Sequence, residues 1–225
     1  MIIPTLNEAR RLPMLLSCLS SCPIEHEIIV CDGGSTDGTV EIARRFGAAV
    51  VTSTTGRGTQ LSAGAATAHG DVLLFLHADS KLHSQALFEL DRTLKRKPEI
   101  VGGNFRVKFD EASFFCRAVE ALCAVLRRLG MYYGDSGIFA RRETYDAIGG
   151  FRNLEIMEDV DFVLRLERHG RTCCITDVPM LTSIRRFKRR SPLGMLVLWA
   201  RMHISFALGV PNSQLAKIYD SRSTD

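Results

Sequence analysis

Three acidic positions could do chemistry in this sequence. Asp32 follows one apolar run, Asp79 ends another, and the pair Glu158-Asp159 opens a predicted helix. A carboxylate can bind a divalent metal ion, accept hydrogen bonds from a ligand or take a proton from a reacting hydroxyl. If the ends of several strands meet at one edge of a sheet, the three positions can share these tasks within a single crevice.

Each carboxylate also has a purely structural interpretation. Asp32 stands before two glycines and could be a turn residue, and Asp79 could cap a helix. Glu158 and Asp159 could stabilise the first turn of their helix through its dipole. The functional interpretation therefore depends on the order of the motifs and on the elements that position them.

The stretch that ends on Asp79 gives the strongest of the three signals. Residues 72–76 are five consecutive apolar residues, and His77, Ala78 and Asp79 follow them. An apolar run of this length predicts a strand that is buried on both faces, as in a parallel sheet. The polar residues then lie at the carboxyl end of the strand, where open α/β sheets bind their ligands.

The elements around these positions alternate between strand and helix in the first half of the chain. Helices that are amphipathic or rich in small residues separate predicted strands at residues 1–3, 27–31, 48–52, 72–76 and 100–109. Pro4 is expected to cut the first strand short, and the abrupt start of that strand leaves open whether residues precede it. The alternation predicts an α/β fold with a mostly parallel central sheet flanked by helices.

The second half of the chain is less regular. An apolar stripe predicts a helix at residues 115–129, and a strand at 138–140, a helix at 157–169 and a strand at 172–176 follow. A cluster of basic residues then precedes an apolar helix around Trp199. Because no linker, repeat or low-complexity tract interrupts the chain, we predict one domain over its whole length.

Composition excludes several classes of protein. The formal net charge is only +4 over 225 residues, and no basic patch is interleaved with aromatic residues, so we expect no nucleic-acid binding. The seven cysteines form no C-x-x-C pair and no Cys/His set with zinc-ligand spacing. This cysteine usage favours a reducing, cytoplasmic compartment.

No segment of the sequence is predicted to direct export or to span a membrane. The first residues lack the basic and the long apolar regions of a signal peptide. The longest apolar run near the C-terminus, residues 193–200, is too short to cross a bilayer. The basic cluster before that run leaves one alternative open, in which the protein contacts the inner membrane surface peripherally.

Four motifs occur in an order that has a counterpart among known enzymes. They are Pro4-Thr5-Leu6-Asn7-Glu8, Asp32-Gly33-Gly34-Ser35-Thr36-Asp37-Gly38-Thr39, His77-Ala78-Asp79 and Glu158-Asp159. Together they resemble the family 2 glycosyltransferases, whose GT-A fold is a Rossmann-like nucleotide-binding fold. Segments 56–60, 133–135 and 156–159 further resemble a small, soluble bacterial subgroup of that family.

The resemblance implies an inverting, metal-dependent transfer of a sugar from a nucleotide-diphosphate sugar, such as a UDP-sugar, to a hydroxyl acceptor. It implies that Asp159 is the general base and that Asp79 holds Mn²⁺ or Mg²⁺ on the diphosphate. The metal motif of the family is usually Asp-x-Asp, and His77 takes the place of the first aspartate here. The nucleotide-sugar-binding half is expected over residues 1–110 and the acceptor-binding half, with the apolar C-terminal helix, over residues 111–225.

The resemblance also implies two sets of binding residues. Those expected to bind the nucleotide sugar are Pro4, Thr5, Asn7, Glu8, Asp32, Gly33, Arg57, His77, Ala78 and Asp79. Those expected near the acceptor or the diphosphate are Gly103, Asp135, Glu158, Arg185 and Arg186. Asp32 is expected on the base or the ribose, and the last two arginines on the diphosphate, because guanidinium groups match phosphate oxygens.

Two other functions stay open at this point. A sugar nucleotidyltransferase shares the nucleotide-binding architecture but usually opens with a glycine-rich loop that carries Arg and Lys, where this chain has residues 4–8. A non-catalytic module that binds nucleotide sugars is the other. A Rossmann dehydrogenase is set aside because residues 56–61 lack the third glycine of its fingerprint. The sequence leaves open the sugar, the acceptor (a small molecule, a glycan or a lipid-linked group) and the oligomeric state.

Overall fold

A seven-stranded, mostly parallel sheet organises the fold. The computed structural model describes residues 1–111, 113–182 and 192–220. Within them the strands are β1 Ile2–Thr5, β2 Ile29–Asp32, β3 Ala49–Thr52, β4 Val72–Phe75, β5 Ile100–Phe109, β6 Ile138–Arg141 and β7 Arg171–Thr182. The strand order is β3-β2-β1-β4-β6-β5-β7, and only β6 runs antiparallel to its neighbours. The predicted α/β fold with a mostly parallel sheet is confirmed.

Helices cover both faces of the sheet. They are α1 Leu12–Ser20, α2 Thr39–Arg45, α3 Arg57–Thr67, α4 Ala86–Arg96, α5 Phe114–Arg128, α6 Arg142–Ala147, α7 Glu158–His169, α8 Pro192–Ala207 and α9 Asn212–Asp220. A short 3₁₀ helix, Gly134–Ser136, lies between α5 and β6. One core layer contains apolar residues of α1 and α4, and the opposite layer contains those of α3 and α7.

Strand β4 lies near the middle of the sheet, as its apolar run predicts. Leu73 and Leu74 are each only 2% exposed, and they belong to the two core layers on opposite faces of the sheet. Phe75 is 3% exposed and makes edge-to-face contacts with Phe151 and Phe162. Burial on both faces fixes the register of the strand, and so fixes where its polar continuation begins.

The first strand differs from its predicted bounds. It continues through Pro4 to Thr5, although the proline was expected to end it. The carbonyls of Met1 and Thr5 accept hydrogen bonds from β2, so the odd-numbered residues face β2 and the nitrogen of Pro4 faces the β4 side. The ladder to β4 consists of the pair Ile2–Phe75 and stops before Pro4, whereas the ladder to β2 continues to Thr5 and keeps the strand extended.

The last strand is longer than predicted, because it ends at Thr182 rather than Thr176. Its pairing with β5 shifts register between Phe105 and Val107, whose partners are Ile175 and Met180. This irregularity absorbs the polar and proline-containing residues that read as the end of a strand in the sequence.

Helix α8 joins α5 to α7. Trp199 packs against the small cluster of Phe109, Cys116 and Val119, while Leu198 and Met202 pack with residues that precede and open α7. Among the described helices, none has both the length and the apolar character needed to cross a bilayer. The division into a nucleotide half and an acceptor half stays a prediction.

Candidate active site

Two loops at the carboxyl ends of β1 and β2 are bound to each other. The backbone N–H of Asn7 donates to Ser35 Oγ over 2.8 Å, and the N–H of Thr36 donates back to Asn7 Oδ1 over 2.9 Å. The N–H of Glu8 donates to Thr39 Oγ1 over 2.9 Å. These bonds bring the first two predicted motifs together as one surface at the sheet edge.

Asp32 organises this surface from below. Its carboxylate is 3% exposed and accepts hydrogen bonds from Thr5 Oγ1 (3.1 Å), the Gly34 N–H (2.9 Å), the Ser35 N–H (2.8 Å) and Ser35 Oγ (2.5 Å). Burial raises the pKa of Asp32, but these hydrogen bonds outweigh it and the net pKa lies below the ordinary value. The carboxylate is therefore ionised and shapes the loop, and its contact with a base or ribose stays a prediction.

Gln60 supports the same edge, although sequence reasoning did not select it as a site residue. Its buried amide donates to the carbonyls of Thr5 and Cys31, each over 2.7 Å, and it lies against Gly33. It therefore ties helix α3 to the ends of β1 and β2. The segment 56–60 contained the only signal for it, as part of the motif that resembled the bacterial subgroup.

The residues after β4 face different surroundings. Ala78 is buried, Asp79 is exposed and His77 is partly buried. The hydrogen bond from Arg11 to Glu8, together with the charges of Glu8 and then Asp79, raises the pKa of the Arg11 guanidinium. Asp79 is thus close enough to Arg11, which follows the loop of residues 4–8, to act on it electrostatically.

Gly134 joins the end of β4 to the start of α7. Its N–H donates to Asp159 Oδ2 over 2.8 Å. A side chain at this position would bring its Cβ within 2.7 Å of His77 Nε2 and 3.5 Å of Asp159 Oδ2, so a larger residue would displace the imidazole. The other carboxylate oxygen of Asp159 accepts from the Val160 N–H over 2.8 Å. Two of the predicted motifs therefore meet at one backbone position.

Glu158 is the buried partner of Arg57. Its carboxylate is 2% exposed, and Oε1 lies 2.8 Å from Arg57 Nε, while the arginine side chain stays 44% exposed. Oε2 is buried and has no hydrogen-bond partner among the described residues. Burial, with the nearby charge of Asp159, raises the pKa of Glu158 to about 7 against the opposing effect of Arg57.

We expect the Glu158→Gln variant to remove a pH dependence of stability. A raised folded pKa means that the stabilising contribution of Glu158 is complete below about pH 4.5 and is lost as the pH rises to about 7. Over that window the free energy of unfolding of the variant, relative to the parent, should rise by about 3 kcal/mol. Urea denaturation at pH 4.5 and pH 8 measures the difference.

The matched control is Glu155→Gln, which changes an exposed carboxylate three residues away. It should leave the pH dependence of stability unchanged. The attraction of Arg57 for the ionised carboxylate is already contained in the pKa of about 7, so the diagnostic quantity is how the stability of Glu158→Gln relative to the parent changes with pH. An offset between variant and parent that is equal at both pH values would contradict the assignment.

A cavity of about 1220 Å³ opens beside Asp159. Of the predicted site residues that the structure describes, it brings together Arg57, His77, Asp135 and Asp159 in the cavity lining. Gly103 does not line it. That residue lies inside β5, where a Cβ would stand 1.9 Å from the carbonyl oxygen of Cys173, which explains the glycine by strand packing. Arg185 and Arg186 lie outside the described residues.

The cavity also contains residues that sequence reasoning did not select. Tyr133 and His203 are joined by a hydrogen bond of 2.8 Å between the phenol oxygen and Nε2, and Tyr133 stacks on Trp199 with ring centroids 6.0 Å apart. Burial lowers the pKa of His203, although the charge of Asp159 opposes that change. The i, i+4 spacing of Trp199 and His203 was the available signal that they share one face of a helix.

The metal-ligand atoms available after β4 fit a divalent ion that is shared with a substrate. Across residues 1–111, 113–182 and 192–220, no group of three or more His, Cys, Asp or Glu side chains is arranged to hold a metal ion. Mg²⁺ and similar hard ions are nevertheless often held by one or two carboxylates together with substrate phosphates. The exposed carboxylate of Asp79 suits an ion that is shared with substrate phosphates. It does not suit an ion that is held by protein ligands alone.

Known proteins share sequence with this chain. The family model described as glycosyl transferase family 2 matches residues 1–153. The 4,4'-diaponeurosporenoate glycosyltransferase of Staphylococcus haemolyticus is 38% identical over 96 residues, which cover 39% of this chain and 26% of that protein. The Glycosyltransferase AglE of Haloferax volcanii is 25% identical over 167 residues, covering 68% of this chain and 55% of that protein. The chain thus spans about a quarter to about half of the length of these relatives.

Solved structures share the fold. The mannosyltransferase PcManGT from Pyrobaculum calidifontis, in complex with GDP-Man and Mn²⁺, aligns with a TM-score of 0.63 and 21% identity over 81% of this chain and 56% of that chain. At this identity the likeness shows the fold alone, which is the predicted GT-A arrangement.

Proposed function

This chain belongs to glycosyl transferase family 2, and from that premise we propose that it moves a sugar from a nucleotide-diphosphate sugar to a hydroxyl acceptor with inversion. One observation carries the proposal. Gly134 brings the Asp159 carboxylate and the His77 imidazole to one cavity, so the start of α7 and the end of β4 act on the same space. A base beside the ligand-binding edge of the sheet is what such a transfer needs.

Asp159 is the proposed general base. The acceptor oxygen forms a bond to the anomeric carbon, and the bond from that carbon to the diphosphate oxygen breaks with its electron pair. The proton of the acceptor hydroxyl moves to an oxygen of Asp159. The hydrogen bonds from the Gly134 and Val160 N–H groups hold the carboxylate in place, which limits the reorganisation that the step requires.

The donor is proposed to bind at the edge formed by residues 4–8, 32–39 and 77–79. Asp32 keeps the loop in shape, so that Asn7, Gly33 and the neighbouring backbone can contact the nucleoside. Asp79 would hold Mn²⁺ or Mg²⁺, which neutralises charge on the leaving diphosphate when it is bound. Arg57 is half exposed in the cavity and supplies a positive charge on the same side.

The compartment is proposed to be the cytoplasm. All seven cysteines are free thiols, and they lie in α1 and just after it, in β2, in α5 and in β7. Free thiols are the usual state of cysteine in a reducing compartment.

A thermal-shift panel of UDP-, GDP- and TDP-sugars with Mn²⁺ tests the proposal. A ligand at a hundred times its Kd stabilises the folded protein by about 2.7 kcal/mol, which corresponds to roughly 5–11 °C in Tm for a chain of this size. We expect such a shift from one class of nucleotide sugar, and little shift from the free sugar. If no nucleotide sugar raises the Tm, with or without the metal ion, the proposal is wrong. Release of pyrophosphate from a nucleoside triphosphate and a sugar phosphate would indicate the nucleotidyltransferase instead.

A further inference from the structure

The cavity beside Asp159 lies on the acceptor side of the site. Among the described residues, none from 1–56 lines it, and neither does Asp79, so most of the proposed donor surface lies outside it, and Arg57 and His77 stand where the two adjoin. Its volume of about 1220 Å³ exceeds the roughly 300–1,000 Å³ that is usual for small-molecule pockets. The space is therefore larger than a reacting hydroxyl and its immediate carbon atoms need.

Polar and charged side chains such as Arg106, Arg128 and Asp135 line part of this space, but much of its wall is formed by apolar side chains. They include Phe109 of β5, Cys123 of α5, Val160 of α7, and Leu198, Trp199 and Met202 of α8. Leu198 and Met202 are 4% and 3% exposed, so their positions are fixed by packing. Burial raises the pKa of the Cys123 thiol to about 12, so the thiol stays neutral and belongs to the apolar wall.

Several polar side chains of the lining already have partners in the protein. The guanidinium of Arg127 donates to Asn104, Glu167 and Thr172 and lies 4.3 Å from the centre of the Tyr132 ring. Glu120 accepts the N–H of Phe109 over 2.9 Å. Against the apolar part of the wall, a polar glycan would lose its hydrogen bonds to water without replacement, which is costly. A hydrocarbon chain would instead bind favourably there, because its transfer out of water lowers the free energy.

We propose that this cavity binds the apolar body of the acceptor, so that the acceptor is an alcohol with a long hydrocarbon part. The hydroxyl reaches Asp159 while the hydrocarbon lies between α5 and α8. This inference rests on the proposed transfer to a hydroxyl, and it names the class of molecule that carries the hydroxyl. Such an alcohol can come from solution or from a membrane.

Trp199 is the single tryptophan of the chain, and it lines the cavity. Its fluorescence therefore reports binding there. Titration with alkan-1-ols from hexan-1-ol to decan-1-ol should change the emission, and affinity should rise roughly fourfold for each added methylene group. Sorbitol, which has the carbon count of hexan-1-ol and six hydroxyls, should cause no change. An affinity that does not depend on chain length overturns the inference.

A pair of matched variants localises the binding. Ala124 is exposed on α5 and lines the cavity, whereas Ala121 is exposed on the same helix and does not. Ala124→Glu should weaken decan-1-ol binding at least tenfold because it puts a charge against the hydrocarbon, while Ala121→Glu should stay within twofold of the parent. We expect both variants to fold, because both positions are exposed, and the Tm of each variant checks this. Equal affinities for the two variants would overturn the assignment to this cavity.

Two further measurements separate this inference from the proposed function. Calorimetry with the nucleotide sugar found by thermal shift measures binding at the donor site and does not depend on the fluorescence of Trp199. Donor binding without chain-length-dependent alcohol binding overturns the inference and leaves the transfer intact. Alcohol binding without any nucleotide-sugar binding overturns the proposed function and, with it, the role of the alcohol as acceptor.

A comparison of turnover with free and with membrane-held alcohol distinguishes the two sources of the acceptor. Decan-1-ol free in solution is compared with a long-chain alcohol held in phosphatidylcholine vesicles, and release of nucleoside diphosphate is followed in both. Faster release with the free alcohol supports a soluble acceptor, and faster release with vesicles supports a membrane one. Release that neither alcohol accelerates overturns the inference.

Discussion

The Asp159→Asn variant should lose roughly 10²–10⁴-fold in sugar transfer, the range that general acid–base groups contribute, while nucleotide-sugar affinity stays within about twofold. Asparagine has nearly the same shape as aspartate but cannot accept the proton of the acceptor. Transfer is measured as nucleoside diphosphate release with the donor found by thermal shift, with water or an added alcohol as acceptor. Donor affinity is measured by calorimetry.

A structural effect must be separated from the loss of the base. Asparagine has one carbonyl oxygen, so it cannot accept from both the Gly134 and the Val160 N–H groups as Asp159 does. The diagnostic readout is the pH profile, because loss of a base removes the acid limb of kcat/KM, whereas a misplaced loop only lowers the whole curve. Asp146→Asn, an exposed carboxylate at the end of α6, should leave activity unchanged. Near-normal turnover in Asp159→Asn would show that another group is the base.

Much of the first half of the fold could be predicted because its information is local. The run at 72–76 reads as a doubly buried strand because each residue in it meets a core layer, and β5 was predicted with the bounds Ile100–Phe109 that it has. The periodicity of apolar residues and the glycine and proline residues that end helices and strands contain that information. Pro4 misled because β1 continues through its ladder to β2, which uses the odd-numbered residues, and only the ladder to β4 stops before the proline.

The insertion of β6 into the sheet could not be read from the sequence. Ile138–Arg141 was predicted as a short strand near its true position, but it pairs antiparallel with both β4 and β5. Strand order depends on which connections cross the sheet, and local patterns do not encode it. This placement puts the 3₁₀ helix Gly134–Ser136, which precedes β6, beside the carboxyl end of β4.

The candidate site likewise contains residues that the sequence predicts and contacts that it does not predict. The motifs that contain Asp32, Asp79 and Asp159 could be selected from order and spacing. The ion pair between Arg57 and Glu158 joins residues 101 positions apart, and the bond between Tyr133 and His203 joins residues 70 apart. Such contacts exist only after helices α3, α7 and α8 dock, so the sequence predicted an acceptor-binding half over residues 111–225 but not the large cavity that these elements enclose.

The Asp79→Ala variant should lose the metal dependence of donor binding. If the ion is shared between this carboxylate and the diphosphate, removing the carboxylate removes the only protein oxygen that we assign to it. Nucleotide-sugar affinity in Mn²⁺ should fall by on the order of 10²-fold, because a bound divalent ion contributes several kcal/mol of charge stabilisation. Calorimetry with Mn²⁺, with Mg²⁺ and with EDTA measures the effect.

The chain supplies a matched control at the other end of the same strand. Asp71 is exposed just before β4, so Asp71→Ala removes an equal charge at the opposite edge of the sheet. It should keep the parent's response to Mn²⁺. If both variants weaken donor binding equally, or if the parent binds equally well in EDTA, the assignment of the metal to Asp79 is wrong.

His77 decides how many protein ligands the ion has. The residue takes the place of the first aspartate in the usual motif, yet its Nε2 lies against Gly134 and it lines the cavity beside Asp159. Asp79 instead acts on Arg11, which follows the loop of residues 4–8. Hard ions such as Mg²⁺ also prefer oxygen ligands to imidazole. We therefore expect His77→Ala to keep the Mn²⁺ and Mg²⁺ dependence of donor binding and to lower transfer instead. A loss of Mn²⁺ affinity in His77→Ala as large as that in Asp79→Ala would make the imidazole a second ligand.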